Sequence, residues 1–391
     1  MQHIEIILKV AERCNLNCTY CYFFNKENKD FENHPALIST ETVRNLVRFL
    51  RTSSHEISKT IFQIDIHGGE PLLLGPKRFS EMVSIIADGL SDAKEVNFTV
   101  QTNAVLINQA WLDVFERHQI YVGISVDGPK LQNDANRIDR RGRGTFDRMV
   151  PKIAAVKQAV IDGRLPGLGS ICVVSPESDA LRTYRCLTQE LGFSRLQFLF
   201  PDDTHDSINP AHIGRFVKFA DDLFECWETD VSRNVRIAHI DQTLQGILQE
   251  NLITRNDRAA NGVAFTVSSG GDLGHDDTLR NVVPEEFNSG MSVADATFSD
   301  FMSWYTETTK RLAPQSSATC ISCTWSNICE HATSGETLLH RMKNGIADQP
   351  SIYCEAWKKT YLHGATYLAK RGVPIHQISK NMVTTDLSSS L

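Results

Sequence analysis

The sequence predicts an α/β architecture: six strand–helix units forming an open, partial barrel, followed by a smaller, loop-rich domain that carries clustered cysteines. Three observations carry this expectation. Short apolar runs alternate with longer helical patterns through the first 230 residues, that alternation then stops, and four cysteines fall between 320 and 354. Six units fit this stretch and a closed eight-unit barrel does not. A partial TIM-like (β/α)6 barrel is therefore expected, with its chemistry at the C-terminal strand ends.

The elements follow in order. Strands are predicted at Ile4–Val10, Ile61–Ile66, Glu95–Thr102, Ile120–Val126, Leu168–Val174 and Arg195–Phe200, rich in Ile, Val and Phe as buried parallel strands should be. Between them, Val43, Leu46, Val47 and Leu50 recur at helical spacing behind a Thr40 cap. Further helices are predicted at Pro76–Leu90, Gln109–Arg117, Phe146–Ile161, Ser178–Leu191 and Ile213–Trp227. The barrel should span 1–230, the second domain 231–375 and a polar tail 376–391. From Lys380 to Leu391, ending in Ser388-Ser389-Ser390, the chain is expected to fray.

Composition narrows the function. Within 391 residues, 41% hydrophobic and 22% charged is ordinary globular usage, and a net charge of −7 without a long basic block argues against holding nucleic acid or an anionic membrane. No apolar stretch approaches the ~18 residues of a spanning helix, and Met1-Gln2-His3-Ile4-Glu5 does not open a signal peptide. A cytoplasmic chain is expected. Ten cysteines in a large cytosolic protein point to metal or catalysis more than to disulfides. Cys172, Cys186 and Cys226 lie in predicted strands or helices and read as packed thiols.

The spacing Cys14-x3-Cys18-x2-Cys21, just after the first strand, is specific. Three thiolates on one loop can ligate three irons of a [4Fe–4S] cluster and leave the fourth open to a small molecule. The segment Cys14-Asn15-Leu16-Asn17-Cys18-Thr19-Tyr20-Cys21, with aromatic Tyr20 before the third cysteine, resembles the radical S-adenosylmethionine (SAM) superfamily. The resemblance implies that His67-Gly68-Gly69-Glu70-Pro71 binds the methionine amino group through backbone and the Glu70 carboxylate. It also implies that Thr102, Asn103, Ser125 and Asp127, ending the third and fourth strands, reach the ribose and methionine. Arg137 would pair with the methionine carboxylate, with Arg140, Arg141 and Arg143 as rivals.

The second set, Cys320-x2-Cys323-x5-Cys329 and then Cys354, resembles the SPASM extension of radical SAM enzymes that modify peptides. That pattern is half present: His275 and Thr333 stand where the family has cysteines. The resemblance implies one auxiliary [4Fe–4S] cluster on Cys320, Cys323, Cys329 and Cys354; a zinc site would take the same ligands. Past the sixth strand, Asp202, Asp203 and His205 offer a proton acceptor or substrate clamp, with His275, Asp276 and Asp277 as a second set.

By resemblance the substrate is a ribosomally made precursor peptide. Within the SPASM group, the chain length, the segment from Phe198 to Asp206 and the single auxiliary cluster look most like cyclophane-forming maturases, which join an aromatic ring to a nearby β-carbon. A 5′-deoxyadenosyl radical would start the reaction, and a flavodoxin or ferredoxin would supply the electron. A formylglycine-forming sulfatase-type maturase is the other enzyme reading; a zinc-bearing peptide-binding scaffold is the reading from another class. With the cluster loop starting at Cys14, leader capture is expected from the second domain or a separate protein.

Overall fold

The computed structural model describes residues 2–53, 57–232, 234–249, 262–312, 317–332 and 336–383. Its strands are β1 (Gln2–Ala11), β2 (Thr60–Gly68), β3 (Glu95–Thr102), β4 (Tyr121–Ser125), β5 (Leu168–Val173), β6 (Arg195–Leu199), β7 (Arg236–Ile237), β8 (Gly262–Val267), β9 (Asp272–Gly274) and β10 (Asn288–Ser292). Contacts divide the chain into two units.

The first unit holds residues 1–171, 191–193 and 259–311. In β1, Ile4, Ile6, Leu8 and Val10 are fully buried on one face, while Glu5, Ile7, Lys9 and Ala11 take the other. Burying each aliphatic side chain is worth about 1.5–3 kcal/mol, and a one-residue slip would put Glu5 and Lys9 in their place. The register is therefore fixed. β1 to β5 pair parallel in sequence order, joined by α1 (Thr40–Arg51), α2 (Pro76–Gly89), α3 (Gln109–Arg117), and α4 (Lys130–Asn136) with α5 (Phe146–Ile161).

These elements match the predicted segments closely, with small corrections. The α1 cap is Ser39, whose Oγ accepts from Thr42 N–H at 3.0 Å. Nothing in the sequence pattern announces strands on the far side of β1. There β8 pairs parallel with β1, and antiparallel β9 and β10 follow. Phe265 of β8 lies at ring distances of 6.1 Å from Phe49 of α1 and 4.9 Å from Phe301 of the helix Phe298–Leu312, which ties this return segment to the core.

The second unit holds residues 172–190, 194–258 and 312–391, so the division falls inside β5. Val174 N–H donates to the Leu199 carbonyl at 2.8 Å beside β6, and β6 pairs parallel with β7. The single helix expected over 178–191 is instead α6 (Ala180–Arg185) followed by a wider turn, Cys186–Glu190. Thr188 Oγ1 donates to the Tyr184 carbonyl at 2.7 Å there, competing for a backbone acceptor. α7 (Pro210–Thr229) and α8 (Ala238–Leu248) follow, then Ser326–Ala332, Cys354–Lys370 and Ile375–Ser379.

Ile247, Ile328, Tyr361, Leu368 and Ile378 form a buried core packed by Trp325 and Trp357. Fraying from Lys380 is corrected for the first residues of that stretch. Asn381 is buried, and its Nδ2 donates to the Gly246 and Gln249 carbonyls at 3.0 and 2.9 Å. Ser388, Ser389 and Ser390 lie outside the described residues. Among the described residues, no helix is long and apolar enough to cross a membrane.

Candidate active site

Cys14, Cys18 and Cys21 leave the end of β1 on one loop, held from two sides. Asn17 N–H donates to the Ile138 carbonyl at 2.8 Å, Thr19 N–H to Asn136 at 3.0 Å, and Arg140 Nε to the Cys14 carbonyl at 3.0 Å. From β2, Gly69 N–H donates to Ala11 at 2.7 Å and Glu70 N–H to Arg13 at 2.9 Å. A Cβ on Gly69 would sit 2.3 Å from the Arg13 carbonyl oxygen, and one on Gly68, at φ +135°, 2.4 Å from that of Ala11. The two glycines thus seat the cysteine loop.

The three thiols interact electrostatically with one another, and burial pushes Cys14 up to about 12 and Cys18 up to about 11. The protein alone leaves them protonated, so a thiophilic centre has to displace the protons. Among the described residues, no three His, Cys, Asp or Glu side chains converge as around a single ion. A [4Fe–4S] cluster asks for something else, because each thiolate binds a different iron. Three cysteines on one short, clamped loop suit it.

Glu70 is 1% exposed, and its carboxylate is engaged within the protein. Oε1 accepts from Thr102 Oγ1 at 2.7 Å and Leu72 N–H at 3.1 Å; Oε2 accepts from Asn103 N–H at 2.9 Å. Burial pushes its carboxyl up to about 7 against these three donors. One acceptor position remains for a ligand ammonium. Asn103 Nδ2 donates to Asn15 Oδ1 at 2.8 Å, linking β3 to the cysteine loop, and Pro71 starts the short turn that Glu70 caps. Ser125 Oγ accepts from Gln101 Nε2 at 2.7 Å.

Arg137 separates cleanly from its rivals. It is 6% exposed, its Nη2 lies 3.0 Å from Asp127 Oδ1, and its guanidinium stands 5.5 Å from the Tyr20 ring centre. Tyr20 donates to the other Asp127 oxygen at 2.6 Å. Arg137 Nε is buried with no partner among the described residues, and Cys18 lies within the electrostatic reach of this group. Arg140 is spent on the Cys14 carbonyl, and the exposed Arg143 pairs with Asp139 at 2.7 Å. An unpartnered buried N–H beside the cysteine loop fits a carboxylate-bearing cofactor.

Sequence reasoning missed the polar inner face of the sheet. Register brings Lys9 beside His67, Ile7 beside Asp65 and Asp65 beside Thr99. Lys9 is 1% exposed and pairs with Asp277; Tyr22 donates to the same carboxylate, and Arg280 Nη1 lies 3.4 Å away. Burial alone would raise Asp277, but Lys9 and Arg280 hold it down to about 2. Glu5 is pushed up to about 8 by burial, then by Asp65 and Asp276. Charged Glu5 and Lys9 inside an otherwise aliphatic strand were the available signal. His275 has both ring nitrogens engaged, accepting from Asp276 N–H at 2.7 Å and meeting Thr309 Oγ1 at 2.9 Å, and stacks 4.2 Å from Tyr305.

The other predicted residues belong to the second unit. Cys354 interacts electrostatically with Cys329 and Cys323, and Cys329 with Cys320, so one neighbourhood holds all four. Asp203 Oδ1 accepts from Ser207 Oγ at 3.0 Å, and His205 is tied to the Met342 carbonyl at 3.0 Å and, through Nε2, to that of Pro350 at 2.8 Å. Asp202 is half-buried beside them.

Residues 8–182, which carry the cysteine loop, the glycine pair and Arg137, match the Radical SAM superfamily. A cysteine-type anaerobic sulfatase-maturating enzyme of Clostridium novyi (strain NT) is 25% identical over 393 residues, covering 95% of this chain and 98% of its own. A solved structure of histidine-tagged anSMEcpe with bound AdoMet superposes with a TM-score of 0.77 at 20% identity, covering 94% of this chain and 98% of that one. Native anSMEcpe with bound AdoMet and Cp18Cys peptide gives 0.76 at 21% identity, with 97% and 99% covered. The chain thus shares the α/β fold of these structures, with a parallel sheet at its core.

Proposed function

We propose that this chain is a radical SAM peptide maturase that joins the β-carbon of one residue of a precursor peptide to a nearby aromatic ring, forming a cyclophane. The observation that carries the peptide-maturase part is the reach of the likeness: it runs through the second unit, 95% of this chain, where a shared barrel would end near residue 182. Loaded with a cluster by Cys14, Cys18 and Cys21 and reduced by a flavodoxin- or ferredoxin-type donor, the site supplies a 5′-deoxyadenosyl radical from SAM.

The chain's own residues do the remainder. Arg137, through its free Nε, holds the methionine carboxylate; Glu70, fixed by Thr102 and Asn103, takes the ammonium; Gly68 and Gly69 keep the loop in register. The deoxyadenosyl radical takes one β-hydrogen atom, becoming 5′-deoxyadenosine; the resulting β-carbon radical bonds to the ring, and restoring aromaticity then breaks a ring C–H bond and releases a proton and an electron. Among the candidate acceptors, Asp277 is favoured over Asp202, Asp203 and His205: it lies in the same unit as the cysteine loop and is bonded to Tyr22, next in sequence to Cys21. Cys320, Cys323, Cys329 and Cys354 would hold an auxiliary cluster, which would supply an acceptor for that electron.

Formylglycine formation is the second reading, favoured by the sulfatase-maturating relatives. Against it stands His275, packed and bonded where the two-cluster pattern has a cysteine. Coexpression with candidate precursor peptides, followed by mass spectrometry, tests both. A crosslink gives a loss of two hydrogens with no reaction toward a hydrazide probe, whereas a formylglycine product is labelled by it. Iron and sulfide content with visible absorbance excludes a zinc scaffold.

A further inference from the structure

Two buried polar groups near Cys329 are unexplained by the site described above. Tyr361 is 2% exposed and Arg341 7%. Among the described residues, the Tyr361 hydroxyl and Arg341 Nε find no hydrogen-bond partner. Both side chains act electrostatically on the Cys329 sulfur. Around them the packing is apolar, with Ile247, Ile328, Leu368 and Ile378 lined by Trp325 and Trp357. A hydroxyl and a guanidinium in such surroundings are costly unless they serve an anionic neighbour.

We propose that Tyr361 and Arg341 set the reduction potential of the auxiliary [4Fe–4S] site through hydrogen bonds and charge at the Cys329 sulfur. This rests on the ligand set Cys320, Cys323, Cys329 and Cys354. Reduction adds one electron, and so one negative charge, to a centre that already carries four thiolates. Apolar packing disfavours that added charge and lowers the potential. A buried cation and a hydroxyl donor at one ligand favour it and raise the potential. The pair thus offsets the burial and keeps the site able to accept an electron from a peptide radical. Cys329 is the ligand within the apolar core, which is where such compensation is needed.

The test uses anaerobically reconstituted holoprotein, with iron counted first. About eight irons in the wild type and about four in the Cys320→Ala/Cys323→Ala variant uphold the ligand set; about four in the wild type removes it, and this inference with it. In an electron paramagnetic resonance redox titration, Tyr361→Phe and Arg341→Gln should each lower the auxiliary midpoint by about tenfold in the one-electron equilibrium, about 59 mV. Arg341→Lys, which keeps the charge, should recover most of the Arg341→Gln shift. Unchanged or raised midpoints at full iron content overturn the proposal. Where a variant loses iron, wild-type resonance Raman spectra decide: iron–sulfur bands that shift in deuterated buffer support hydrogen bonding to sulfur, and unshifted bands overturn it.

Discussion

At the scale of single residues, burial and hydrogen bonding separate side chains that keep a spare buried donor from those engaged within the protein. Arg137 keeps a buried Nε without a partner among the described residues, whereas Arg143 is exposed and paired with Asp139. Arg137→Ala should therefore weaken SAM binding by about 1.5–3 kcal/mol, roughly tenfold to a hundredfold in Kd, and Arg143→Ala should leave it unchanged; isothermal titration of the reconstituted protein reads both. Glu70→Gln should weaken SAM binding and also lower the melting temperature, because the carboxylate already accepts three internal hydrogen bonds. Glu5 gives a pH signature. Its carboxyl is raised to about 8, by burial and then by Asp65 and Asp276, so the folded chain binds a proton that the unfolded chain has lost. Stability from this group is full below the ordinary carboxyl range and is lost as pH rises toward 8. Glu5→Gln should remove that decline, seen as a melting temperature that gains on the wild type between pH 5 and 9. Equal slopes in the two proteins would assign the decline elsewhere.

The cysteine loop is an element without regular structure, and its shape is imposed by its neighbours. Residues 136–140 bond it on one side and the Gly68-Gly69 turn on the other. A methyl on Gly69 would come within 2.3 Å of the Arg13 carbonyl oxygen, a backbone atom that cannot swing aside. Gly69→Ala should therefore lose the iron of the SAM-binding cluster, about half the total, and retain the auxiliary half. Full iron in that variant would mean that the loop moves freely. At this scale the sequence was legible wherever local rules suffice: β3, α3 and α5 begin and end where periodicity and caps predict. It was less legible at 178–191, where a hydroxyl of the chain itself takes a backbone acceptor and the helix widens.

For the whole molecule, two iron sites in separate units should load separately. Replacing Cys14, Cys18 and Cys21 by Ala should remove about half of about eight irons and abolish SAM cleavage, whereas Cys320→Ala/Cys323→Ala should leave 5′-deoxyadenosine formation measurable while the peptide product is lost. Product at wild-type yield from the second variant would refute the electron-acceptor role. By itself the sequence determined the order of β1 to β6, the cysteine spacings and the glycine pair, because strand period, thiolate number and steric room are encoded within a few neighbouring residues. Only the tertiary structure decided that β8 closes on β1, that Arg137 rather than Arg143 is buried beside Asp127, and that Lys9 and Tyr22 converge on Asp277. Those choices join residues more than two hundred positions apart, or rank chemically identical side chains by burial. Neither separation in space nor loss of water is written in local sequence.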